Sequence, residues 1–168
     1  MTRSTLPCMG VLLASLALAA CTPANVRPGE TIATTIKAGQ SWVITRQALA
    51  VKVLDACSRA TPGDEPGRIT GYWAPSRVDV EQLEARLPSL ATQVPEPVGF
   101  DRQYVGIESR GQRQIYINAF HLPDAVSVDP SREHVDVCDG GRAFWGAVYD
   151  PATGIFSELT FNGALSPP

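Results

Sequence analysis

The chain has 168 residues, enough for one domain with its own hydrophobic core. Hydrophobic residues make up 44%, an ordinary globular share. A formal net charge of −3 argues against nucleic acid as a partner and leaves no polybasic patch for anionic lipid.

The N-terminus reads as an export signal. Arg3 supplies a short positive region, and the run from Met9 to Ala20 is apolar but too short to span a bilayer comfortably. The run ends in Leu18-Ala19-Ala20-Cys21. A leucine, two small residues and a cysteine directly after such a run resemble the lipobox of bacterial lipoproteins. The resemblance implies that residues 1–20 are a lipoprotein signal peptide. It also implies that the Cys21 sulfur takes a diacylglyceryl group, and that in many bacteria the freed Cys21 amine takes a further acyl chain of the palmitate kind. Two or three such chains, at about 0.8 kcal/mol per buried methylene, make an effectively permanent membrane anchor. Thr22 stands where some Gram-negative lipoproteins carry an inner-membrane retention aspartate, so the family rule favours the outer membrane, with the domain in the periplasm. Residues 21–40 then form a lipidated tether. Pro23, Pro28 and a run of Thr, Ala and Gly give it no strong period. About 18 flexible residues reach roughly 20–25 Å root-mean-square. A short strand at 31–36 is the competing reading.

Four cysteines are present. Cys8 leaves with the signal and Cys21 takes the lipid, so Cys57 and Cys138 remain. In an exported chain two remaining cysteines most simply pair. The loop closed is about 80 residues, for which the chain-entropy picture gives roughly 4.5 kcal/mol. Two buried thiols are the alternative.

Residues 41–168 read as a single α+β domain. A helix is expected over 45–60, with Leu49, Val53, Ala56 or Cys57, and Ala60 on one face, Thr45 as its cap and Thr61-Pro62-Gly63 as its end. A strand is the rival there, because Leu49, Val51 and Val53 alternate. Residues 69–74 form a short strand. Ser76 and Asp79 have the spacing of a capping box. Val80, Leu83, Leu87 and Leu90 then make a helical apolar stripe, which Pro88 ends or kinks near Leu87. Two hairpins follow. Segments 103–108 and 113–120 flank a turn with Gly111, and 143–149 and 155–161 flank Asp150-Pro151-Ala152-Thr153-Gly154. The expected architecture is an antiparallel sheet of about four to five strands built from two hairpins, with one or two helices packed on one face.

Three further segments carry a second resemblance. Gly71-Tyr72-Trp73-x-Pro75, Tyr116-Ile117-Asn118-Ala119-Phe120 and Cys138-Asp139-Gly140-Gly141-x-x-Phe144-Trp145-Gly146 make residues 47–163 similar to a set of proteobacterial lipoproteins of unassigned activity. That resemblance implies export and fold rather than a reaction.

Several groupings bear on chemistry. Cys138 with His121 or His134 has the residue types of a thiol nucleophile and base, which a disulfide would consume. Asp136, Asp139, Gly140 and Gly141, with Asp124 and Asp129, have oxygens of the kind calcium takes, although the spacing matches no EF-hand; a glycine turn with solvated aspartates is the plainer reading. Glu81 and Glu84 read as a solvated helix face, and Asn118 and Asn162 as buried-turn residues. No metal or other cofactor is expected. Neighbours on a strand face opposite sides, so one of Tyr72 and Trp73, and one of Phe144 and Trp145, is expected on the outside or under a helix. The candidate binding residues are therefore Tyr72, Trp73, Arg113, Arg142 and Trp145, aromatics beside arginines.

The function expected from these features is a non-enzymatic envelope lipoprotein whose domain binds another macromolecule, with a protein partner in the envelope. An inhibitor or immunity-type protein against an envelope hydrolase is the favoured form. A structural or assembly accessory of an envelope complex is the alternative, and a hydrolase ranks behind both.

Overall fold

A computed structural model describes residues 37–55, 59–60, 62, 68–124 and 126–163. The signal segment, Cys21, the 31–36 alternative, Cys57 and the loop at 64–67 lie outside the described residues. In chain order the elements are β1 (Ser41–Val43), α1 (Gln47–Leu54), β2 (Ile69–Trp73), α2 (Arg77–Arg86), β3 (Asp101–Ser109), β4 (Gln112–Phe120), β5 (Phe144–Asp150) and β6 (Ile155–Phe161). The strands make one sheet in the order β1-β3-β4-β5-β6, and β2 also pairs with β3.

The domain is α+β, as the sequence implies, but the finer expectation needs three corrections. The sheet has six strands rather than four to five. It is mixed, because β1 runs parallel to β3, with Trp42 opposite Gln103. The helices also pack on opposite faces. On one face α2 and the turn after it meet Tyr104, Ile115, Ile117, Ala119, Trp145, Ala147 and Tyr149 through Leu83, Leu87 and Leu90. On the other face α1 meets Val105, Ile107, Tyr116 and Val148 through Leu49, Ala50, Val53 and Leu54. With both faces covered, successive residues of β3, β4 and β5 are buried alike, and the in–out alternation of a half-exposed sheet is lost.

Local sequence accounts for most of the boundaries. Helical and not strand periodicity governs 47–54: Val51, which a strand would bury with Leu49 and Val53, is 49% exposed. This helix is shorter than expected. Arg46 is its N-cap and makes no side-chain cap, so Thr45 lies one residue too early to serve. The α2 start is the expected capping box. Ser76 Oγ accepts from the Asp79 N–H at 3.3 Å, and the Ser76 N–H donates to Asp79 Oδ2 at 2.8 Å. Pro88 converts the chain to a 3-10 turn over Leu87–Leu90, which still buries both leucines.

The first hairpin turns on Arg110 and Gly111, both at positive φ, the geometry whose twist matches its strands. β1 and β2 share one edge of β3, β1 along 102–104 and β2 along 106–109. A side chain at Gly106 would collide with the Trp73 carbonyl, so the close crossing of β2 over β3 requires glycine. β6 forms the far edge. Its register shifts opposite Gly146 and Val148, and Glu158 sits there at φ 54° and pairs with Arg68.

Leu83 has no exposed surface and stands at the centre of the α2 contact, whereas Val78 on the same helix is exposed. Leu83→Ala should cost about 2–5 kcal/mol and Val78→Ala less than about 0.5 kcal/mol in urea unfolding. Equal effects would mean that α2 is not docked on the sheet.

Candidate functional site

The first hairpin turn, the β5–β6 turn and the start of α2 all lie at one end of the sheet. Register places the two turns there, since Ser109 pairs with Gln112 and Ile115 pairs with Tyr149, next to Asp150, and the α2 start reaches them through Asp79, which lines a cleft with Gln112 and Asp150. Between these elements are two adjoining clefts. One, of about 320 Å³, is lined by Trp73, Asp79, Gln112, Arg113, Asp150, Pro151 and Ala152. The other, of about 370 Å³, shares Pro151 and Ala152 and continues past Gln82, Arg86, Tyr149 and Gly154. Together they form one groove along the β5–β6 turn.

Each wall is fixed by local chemistry. Trp73 lies on the α2 face, and its Nε1 donates to the carbonyls of Ile107 and Gln114, both at 3.1 Å. Its polar atom is thereby used within the sheet, and the ring offers only carbon surface. Arg113 lies over that ring, its guanidinium carbon 5.5 Å from the centroid, and its Nε pairs with Glu108 at 3.3 Å. Asp150 Oδ1 accepts from the Ala152 N–H at 2.8 Å, and the Gly154 N–H closes the turn on the Asp150 carbonyl at 2.8 Å. The helical wall is clamped to the sheet through Glu84, whose carboxylate takes Arg102 Nη2 at 3.1 Å and the Tyr104 hydroxyl at 2.7 Å. Burial holds the Tyr104 phenol far above its ordinary value. The Glu84 charge and the hydrogen bond to it push the same way, and Arg102 opposes them. Burial also raises the phenols of Tyr72 and Tyr149; at Tyr149, Arg86 lowers the value while Asp150 and Asp79 raise it.

The structure brings together two of the five binding residues expected from sequence, Trp73 and Arg113. Tyr72 faces the other side of the sheet, packed against the α1 cluster, as strand alternation requires. Trp145 is fully buried, so it belongs to no surface patch; α2 and its turn cover Trp145 on one face, while Phe120 and Val135 pack on Phe144 on the other. Arg142 lies at the opposite end of the sheet, stacked over Phe161 at 4.5 Å and donating to the Gln93 carbonyl at 2.6 Å. Asp79, Arg86, Gln112 and Asp150 are groove residues that the sequence offered only as cap, helix and turn residues.

The remaining groupings resolve differently. Cys138 is disulfide-bonded, which removes it as a nucleophile; Cys57, its expected partner, lies outside the described residues. His121 stacks on Phe100 with ring centroids 3.8 Å apart. Among the described residues no three His, Cys, Asp or Glu side chains converge on a metal-sized site. Gly140 packs so closely on the Phe144 ring that no side chain fits, and Asp129 folds onto Ser131, so these positions read as turns. Glu84 is not part of a solvated face but the anchor just described. Asn118 and Asn162 belong to a buried network. Arg59 donates to Asn162 Oδ1 at 2.6 Å, to the Tyr116 hydroxyl at 2.9 Å and to Asn118. Asn118 Nδ2 in turn donates to the Val135 carbonyl at 2.9 Å.

No family model matches the chain, and neither a curated protein nor a solved structure is significantly similar to it.

The Tyr104 phenol gives the helix clamp a pH signature. Unfolded, it ionises near pH 10; folded, it keeps its proton well beyond that, so the native state binds more protons there. Stability is therefore intact below pH 10 and falls as pH rises above it, by at most about 1.4 kcal/mol per pH unit from this one group. Tyr104→Phe should flatten that alkaline limb in urea titrations at pH 9 to 11. An unchanged slope would show that burial does not keep the phenol protonated in the folded state.

Proposed function

We propose that this chain is the precursor of a bacterial lipoprotein and that its domain is a non-catalytic binding module for another macromolecule of the envelope. In this reading residues 1–20 are removed, Cys21 carries the lipid, and the domain stands in the periplasm, with the outer membrane favoured by Thr22. Cys57 is the partner we assign to Cys138. An inhibitor or immunity-type protein opposing an envelope hydrolase is the form we favour.

The observation that carries the binding role is the groove at the turn end of the sheet. Its groups are those of recognition: an aromatic side chain, carboxylates, an amide, and a guanidinium over the aromatic ring. They stand on a capping box and tight turns rather than on long free loops, so little ordering remains to oppose association. The support for export is the leader itself, with Leu18-Ala19-Ala20-Cys21 at its end.

Two measurements test the two halves separately. Intact-mass analysis of protein extracted from membranes should show a chain beginning at an acylated Cys21, and Cys21→Ser should retain the leader. An intact leader on the unaltered chain would end the lipoprotein reading. Affinity capture from envelope extract with the full chain should recover a macromolecule whose retention falls at least about thirtyfold with Trp73→Ala, the loss expected of a central contact worth about 2 kcal/mol. Recovery of nothing, or retention indifferent to the groove, would end the binding reading.

A further inference from the structure

The lining of the groove narrows what it takes. Its first cleft has acceptors with spare capacity in Asp79 and Asp150. Asp79 uses Oδ2 for the Ser76 N–H and hydroxyl, at 2.8 and 2.6 Å, and Asp150 uses Oδ1 for the turn; the other oxygen of each has no described partner. The donors are Arg113, whose Nε alone is paired, and Gln112, whose amide both donates and accepts. Trp73, Pro151 and Ala152 supply apolar surface between them.

The mixture of signs decides between ligand classes. A simple cation drawn to Asp79 and Asp150 leaves the Trp73 and Pro151 surface and the Gln112 and Arg113 donors unused, the Arg113 charge being already matched by Glu108. A simple anion drawn to Arg113 meets two carboxylates. A neutral ligand whose groups both donate and accept, and which also has an apolar face, satisfies all of them at once. That is the chemistry of a sugar ring, with hydroxyls or acetamides around its rim and C–H groups on its face.

The second cleft has no carboxylate but again sets polar groups among apolar surface. Arg86 donates, Gln82 and Thr153 do both, and Ala85, Pro151 and Ala152 are apolar. Each cleft is near the lower end of the roughly 300–1,000 Å³ typical of small-ligand pockets. Two adjoining cells of similar size that share Pro151 and Ala152, each with hydrogen-bonding groups beside apolar surface, suit a ligand that itself repeats.

We infer that the groove from Trp73 to Arg86 is a binding site for a neutral oligosaccharide, with one sugar unit over Trp73 and Asp150 and the next over Arg86 and Thr153. The inference rests on the binding role proposed above and names its ligand class as a glycan chain. A hydrolase that cuts such a chain loses access to the units held in the groove, so occupancy alone opposes it.

The test uses the full chain in detergent, labelled at tryptophan indole nitrogens and titrated with N-acetylglucosamine and its β-1,4-linked tetramer. Trp73 Nε1 should shift saturably while Trp42 and the buried Trp145 stay in place. The tetramer should bind roughly tenfold or more tightly than the monomer, the factor that about 1.4 kcal/mol of added contact supplies. Asp150→Asn and Arg86→Ala should each weaken the tetramer, and Arg86→Ala should leave the monomer unchanged. Because Trp73→Ala also alters the packing on β3, Arg113→Ala serves as the second variant at that end, checked for an unchanged indole spectrum elsewhere. No saturable shift up to millimolar sugar, equal affinity for monomer and tetramer, or competition by tetralysine in place of the sugar would overturn the assignment. If the sugars fail while envelope capture still recovers a partner through Trp73, the glycan assignment falls and the binding role stands.

Discussion

A guanidinium shut away from water at Arg102 sets the terms for the α2 half of the molecule. It is 2% exposed and finds its acceptors on four separate pieces of chain: the Tyr104 hydroxyl on its own strand, the carbonyls of Val98 and Phe100, the Gly39 carbonyl ahead of β1, and both oxygens of Glu84 on α2. A buried charge is tolerated only when such partners replace its water, and it becomes expensive as soon as one is missing. The helix, the turn before β3 and the entry segment must therefore arrive together. Gly39, whose N–H also bonds the Val98 carbonyl, is thereby tied into the packed domain.

The opposite face solves a related problem with neutral groups. The described residues of the long 121–140 connection form no regular strand or helix beyond short turns, and their backbone is tied down by side-chain amides. Gln103 Nε2 donates to the carbonyls of Pro130 and Glu133 at 2.7 and 2.6 Å, its Oε1 accepts from the Val135 N–H at 3.2 Å, and Asn162 donates to the Val137 carbonyl. These amides do for the connection what a neighbouring strand would do. Phe120, Val135 and Phe144 close the apolar layer beneath. The polar residues inside this protein are thus not errors in an apolar pattern but the means by which irregular chain is held on a sheet.

This arrangement explains what could be read in advance. The α2 helix, its capping box, the stop at Pro88 and both hairpins were legible, because each rests on residues a few positions apart. β1 was not, since three residues carry no period and its parallel pairing with 102–104 is fixed by contacts sixty residues away. Coverage of both faces was hidden because α1 is short and its stripe of Leu49, Val53 and Leu54 says nothing of which side it meets. Trp73 and Arg113 were legible as a pair of types. Asp79 and Asp150 were legible only as a cap and a turn, because their local roles fully account for their presence in the sequence. Their convergence is a product of topology, and no spacing encodes it.

The far edge of the sheet has a consequence for crowding. β6 offers a seven-residue strand edge with Ile155 63% exposed, and a lipid anchor would gather many such edges in two dimensions. Two copies pairing antiparallel about the middle of β6 would have to run their ladder through Glu158, where the backbone is bent out of ladder geometry by its positive φ and the side chain is already held by Arg68. The kink thus interrupts the straight run of backbone donors and acceptors that a neighbouring copy would need as a template.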